Sequence, residues 1–181
     1  MSSPFPVLHT ARFLLRHIVK DDIAQVFRGL SHPQVIRYYG ISYDSLAATQ
    51  DQIDWYQQLL EQKTGIWWGI CQRHAPAELI GACGFYEWDQ ANRNADMGYW
   101  LLPEHWGGGV MRECLAAILG HAFQQMSLHR IEAEVEPDNL PSSRLLRQLG
   151  FSLEGKRRQC EWKNGHFVDL EYYSLLAGEL G

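Results

Sequence analysis

The stretch Tyr99-Trp100-Leu101-Leu102-Pro103-Glu104-His105-Trp106-Gly107-Gly108-Gly109-Val110-Met111-Arg112-Glu113 decides the fold. It reads as a strand ending near Leu102, a short loop, three consecutive glycines and then a long helix over residues 107–126. Val110, Met111, Cys114, Leu115, Ile118, Leu119, Ala122 and Phe123 give that helix one apolar face. Glycine is a poor helix former, so three at a helix entrance call for a reason. Without Cβ atoms the loop can expose its N–H groups and let a ligand approach closely. The first N–H groups of a helix lack internal partners and carry roughly half a positive charge. A phosphate or diphosphate satisfies both; an ordinary flexible loop is the plainer alternative. The nucleotide loop that ends in Lys-Ser/Thr is excluded by Val110-Met111, and the dinucleotide fingerprint by Arg112 where a third glycine belongs.

Outward from this stretch, periodicity and turn residues mark the other elements. Strands are expected at residues 11–18, 66–72, 79–86 and 95–102, the second and third separated by a polar turn with Pro76. Others follow at 130–135, 151–162 and 167–176. Helices are expected at 21–29, capped by Asp21, at 45–62, capped by Ser45, and at 141–149, stopped by Gly150. Asn164-Gly165 is a type I′ hairpin signal. The strand–long helix–strand run in the middle implies a parallel pair inside a mixed sheet. The expected fold is α+β: a twisted, mostly antiparallel sheet of about seven strands flanked by four helices, in one domain over residues 1–181.

The chain has 181 residues, 46% of them hydrophobic and 20% charged, which excludes wholesale disorder. Its 16 basic and 21 acidic residues give a net charge of −5, against nucleic acid as partner. No apolar run reaches the ~20 residues of a membrane helix. Met1 to Thr10 has neither the basic nor the apolar region of a signal peptide. Cys71, Cys83, Cys114 and Cys160 form no C-x-x-C pair, and the eight histidines are scattered, so neither a disulfide framework nor a metal site is expected. The composition fits a reduced, cytoplasmic protein. The C-terminal hairpin offers an edge that could pair in a homodimer.

The glycine stretch resembles the diphosphate loop of the GNAT superfamily of acyl-CoA-dependent N-acetyltransferases, Gln/Arg-x-x-Gly-x-Gly/Ala. The frame here is Trp106-Gly107-Gly108-Gly109-Val110-Met111, with Trp and Met departing at its two ends. Gly98-Tyr99-Trp100-Leu101-Leu102-Pro103 is similar to the G-Y-W-L-x-P run of the RimJ/RimL-like branch, and Thr10 to Arg16 to its T-x-R-L-x-L-R opening. Asn139-Leu140-Pro141-Ser142 with Leu149-Gly150-Phe151 matches a third block. The resemblance implies direct acetyl transfer from acetyl-CoA to a primary amine, a protein N-terminal α-amine or a small amine, through a tetrahedral intermediate. The backbone of Tyr99, Trp100, Leu101 and Leu102 would pair with pantetheine, Trp106 to Met111 would hold the diphosphate, and Asn139, by its position a competent helix N-cap, would bond the pantetheine arm.

Two catalytic candidates follow from the same resemblance. Ser142 shares a helix face with Leu145, Leu146 and Leu149 and points inward. It is either bonded back to a carbonyl or the proton donor to the departing thiolate, because the family's usual tyrosine is Leu146 here. Asp96, Glu87 and Glu136 are the acids nearest the strand, with Asp96 the candidate base; the alternative is that all three are solvated or simply attract a cationic acceptor. An α-amine costs only about 1 kcal/mol to deprotonate at pH 7 and a lysine about 5, so the two acceptors differ in the base they need. Tyr38, Tyr39, Trp67, Tyr86 and Trp88 either line the acceptor pocket or belong to the core. A non-catalytic acyl-CoA-binding module is the alternative; it would keep the glycines but need neither Asp96 nor Ser142.

Overall fold

The computed structural model describes residues 4–180. Met1 to Ser3, which enter the signal-peptide reading, lie outside them. The chain runs β1 (Leu8–His9), β2 (Phe13–His17), α1 (Ile23–Leu30), α2 (Pro33–Ile36) and α3 (Leu46–Gln62). Next come β3 (Ile66–Gln72), β4 (Ala75–Asp89), β5 (Asn94–Leu101) and α4 (Val110–Gln124). The last elements are β6 (Arg130–Val135), α5 (Leu140–Gln148), β7 (Ser152–Lys163) and β8 (His166–Leu176). The strands form one open sheet in the order β1-β2-β3-β4-β5-β6-β8-β7, antiparallel except for the β5–β6 pair. The parallel pair sits where the long-helix crossover required it.

The central strands β3 to β5 are buried on both faces over most of their length, while β7 is exposed along most of its own. One core gathers around α4, whose Cys114, Leu115, Ile118, Leu119 and Ala122 are fully buried against Trp68, Phe85 and Ile131. The other packs Val26 and Leu30 of α1 and Ile53, Tyr56 and Leu59 of α3 onto Trp67, Ala82 and Trp100. Alternation along β5 assigns its residues: Ala95, Met97, Tyr99 and Leu101 join the α4 side, Trp100 the other.

Among the described residues, eight strands and five α-helices exceed the expected seven and four, because two short elements carry too little periodicity to see. β1 has two residues, and α2 has four, opened by His32, whose ring accepts the Gln34 N–H, and by Pro33. The β3–β4 turn is Arg73–His74, so Pro76 lies inside the exposed start of β4. Asp22, rather than Asp21, organises the start of α1. Its carboxylate takes the Val19 N–H at 2.8 Å and both terminal nitrogens of Arg16 at 2.7 and 2.8 Å. Ser45 caps α3 as expected, accepting the Ala48 N–H. Asn164 and Gly165 both hold positive φ in the β7–β8 turn. All four cysteines are free thiols. Among the described residues there is no cluster that could hold a metal, and no helix is long and apolar enough to cross a membrane.

Candidate active site

The three glycines stand outside α4, which begins at Val110. Gly107 and Gly109 adopt φ of 77° and 70°, a region costing an L-residue about 1–2 kcal/mol. Gly109 is the N-cap and offers no side chain, so the N–H groups of the first turn keep no capping partner. A Cβ placed on Gly107 would meet nothing within 4 Å. Val110 and Met111 turn their side chains into the core, leaving only their backbone to the entrance. Trp106 is about half exposed, and its indole N–H donates to the Leu101 carbonyl at 2.8 Å, which ties the loop to the end of β5.

Beside this entrance β5 and β6 separate. Their parallel pairing covers Asn94↔Arg130 to Asp96↔Glu132 and stops there. Leu102 N–H donates to Ile80 O of β4, so by alternation the N–H groups of Leu101 and Tyr99 face the widening gap. An extended arm laid in that gap would find backbone groups to pair with. Leu102 is a correction to the expected contacts: it is buried, its N–H is bonded, and it does not line the cleft. Trp100 also contributes only backbone, since its indole is buried and donates to the Tyr56 hydroxyl at 3.2 Å.

A cleft of about 2000 Å³ runs from the glycines through the gap to the opposite face of the sheet. Ser142 lines it half-buried, not packed in the core; the core position on that turn is Ser143. Neither does Ser142 bond back to a carbonyl: its hydroxyl lies 2.5 Å from the Tyr99 hydroxyl. Burial pushes the Tyr99 phenol up to about 12, more than the Ser142 bond lowers it, so it stays protonated. Asn139 is the helix cap, its Oδ1 accepting the Ser142 N–H at 3.4 Å, and it also lines the cleft.

Asp96 stands back from the cleft wall, at the closed end of the gap, half-buried. Desolvation, followed by repulsion from Glu132, Glu134 and Glu87, raises its carboxyl to about 6. Glu136 is tied to Lys163 by a short ion pair, and Glu87 is exposed. On the far face, Tyr38, Tyr39, Trp55, Trp67 and Tyr86 line the cleft. Trp67 lies across the sheet because Gly84 and Gly98 leave room: a Cβ on Gly98 would stand 2.9 Å from its ring. Trp88 packs against the α4 core instead and leaves the expected set.

Residues 12–152 match the Acetyltransferase (GNAT) domain family. The chain belongs to that family. Uncharacterized N-acetyltransferase YoaA of Bacillus subtilis is 38% identical over 173 residues, covering 95% of this chain and 97% of that one. The ribosomal-protein-serine acetyltransferase of Escherichia coli is 34% identical over 55% of each chain. The fold matches Mycobacterium smegmatis RimJ in complex with CoA-disulfide with a TM-score of 0.85, 24% identity, and coverage of 96% and 88%. This GNAT chain is therefore an acetyl-CoA-dependent N-acetyltransferase.

The geometry fits that co-substrate: glycines with room above them, an uncapped helix start, and strand edges opened at the same place. Sequence reasoning missed the Tyr99 hydroxyl and Trp55. Tyr99 was legible in principle, since it shares a strand face with Leu101 on the helix side. Trp55 carried no signal, because in α3 it reads as one aromatic on a mixed helix.

Proposed function

We propose that this GNAT enzyme acetylates an N-terminal α-amine of a peptide or protein. The observation that carries this reading is the placement of the acids. Asp96, whose carboxyl is raised to about 6, is set back from the cleft, Glu136 is paired with Lys163, and Glu134 on the cleft wall is exposed to solvent. That arrangement suits an amine of pKa ~8 and serves a lysine of pKa ~10.4 poorly. The named serine acetyltransferase among the relatives points the same way.

Bound acetyl-CoA supplies the acetyl group as a thioester. The Gly107–Gly109 loop and the first turn of α4 would hold its diphosphate. The Tyr99 and Leu101 backbone, with Asn139, would hold the pantetheine arm. The Leu101 N–H would donate to the acyl oxygen where charge develops. Either hydroxyl of the Tyr99–Ser142 pair can donate; with Tyr99 donating, the Ser142 proton passes to the departing sulfur, the Tyr99 proton moves to Ser142, and the phenol regains a proton from water in the cleft. Asp96, acting through water, takes the proton of the attacking amine. The transfer needs no covalent enzyme species; it is mainly the alignment of two reactants across the gap.

Incubation of an amine and peptide library with acetyl-CoA, read by mass spectrometry, tests the acceptor. Acetyl on N-terminal nitrogens supports the reading. Acetyl confined to lysine side chains overturns it, and cofactor binding without turnover would make the chain a sensing module.

A further inference from the structure

The Thr10–Arg16 opening does more than start the sheet. Thr10 Oγ1 accepts the Phe13 N–H at 2.9 Å and shapes the turn into β2. Arg16 is consumed by Asp22. Arg12 reaches the other way, to the glycine loop some hundred residues along. Its backbone N–H donates to Glu113 Oε1 at 2.9 Å, its Nε to Glu113 Oε2 at 2.7 Å, and its Nη1 to the Gly108 carbonyl at 2.9 Å. Glu113 lies in the first turn of α4, its own N–H bonded to Gly109 O at 3.1 Å. The guanidinium is thus fixed by the helix it serves, and it stacks over the Phe13 ring at 4.9 Å.

This contact sets one peptide plane. The Gly108–Gly109 bond is trans, so its C=O and N–H point in opposite directions. Holding Gly108 O on Arg12 turns the Gly109 N–H to the other side of the loop. Glycines on both sides leave that plane otherwise free to rotate, at an entropic cost when a ligand orders it. The loop has no cation of its own: Trp106 opens it, and the Trp106 indole N–H is committed to Leu101 O.

We infer that Arg12 is a positioning residue for diphosphate recognition, holding the Gly108–Gly109 peptide with its N–H turned into the cradle. The inference rests on the proposed cradle, which the same experiment checks separately. Binding of CoA, and of pantetheine, which has the same thiol arm without the diphosphate, is titrated by NMR for wild type, Arg12→Met and Arg12→Lys. Wild type should bind CoA far more tightly than pantetheine. In Arg12→Met the ratio of the two Kd values should fall about tenfold or more, the worth of one charge-assisted hydrogen bond. Arg12→Lys, which keeps charge and stem but not the fork, should lie between. General loosening of the fold weakens both ligands together and leaves the ratio alone, so an unchanged ratio in both variants overturns the role of Arg12. A wild-type ratio near one overturns the cradle itself.

Discussion

Ser142 and Asp96 show how far a side chain's environment decides its chemistry. Ser142 is paired with a phenol held protonated by burial, and on the proposed reading the two hydroxyls form a short relay ending in the cleft. Ser142→Ala should lower kcat by about tenfold while the KM for acetyl-CoA holds, a modest loss because a thiol of pKa ~8.5 leaves readily. Steady-state rates at saturating donor read this directly, and full activity would return Ser142 to a helix-start residue. Asp96 is held protonated to higher pH in the fold than in the unfolded chain. Between about pH 4 and 6 the native state therefore binds more protons, and stability falls as pH rises through that window. Asp96→Asn should remove this cost, stabilising the protein at pH 7.5 by about 1 kcal/mol once half-exposure is discounted. The gain should vanish below pH 4, as urea titrations at the two pH values would show. The same variant should lose the rise in kcat/KM near pH 6.

At the scale of elements, the glycine entrance and the gap between β5 and β6 form a unit. Gly109→Val places a β-branched residue at φ 70°, where the strain is about 1–2 kcal/mol, and points its side chain at Arg12. CoA affinity should drop by at least tenfold with the far-UV spectrum near native; unchanged affinity in a titration would refute the loop's role. This unit was the most legible part of the sequence. The α4 face repeats over four turns, so its burial follows from spacing, and Gly107 to Gly109 break propensity so strongly that they announce themselves. β1 and α2 were illegible because two and four residues hold no full period. Asp22 was hidden behind Asp21 since the two differ only through Arg16, a partner brought by tertiary contact. Leu102 was assigned to the cofactor from its place in a motif. Its commitment to Ile80 follows from strand register, which no single strand reveals. Likewise the Tyr99–Ser142 pair joins residues 43 apart and needs the packed structure.

Across the whole molecule, one sheet separates two cores and is breached at one place. The glycine loop and α5 lie on the α4 side, and the aromatic wall of Trp55, Trp67 and Tyr86 lies on the other. On the proposed reading, donor and acceptor approach from opposite faces and occupy the cleft together. Initial rates against both substrates should give intersecting double-reciprocal lines, with CoA competing with acetyl-CoA but not with the amine. Parallel lines would mean an acetylated enzyme, which the geometry gives no reason to expect. The reading of the whole depends on the entrance of α4 receiving a diphosphate. Amide hydrogen exchange over residues 107–113, with and without CoA, measures this on the unmodified protein. Binding should slow exchange at the uncapped N–H groups of Gly109, Val110 and Met111. CoA that binds tightly while those amides exchange as before would contradict it.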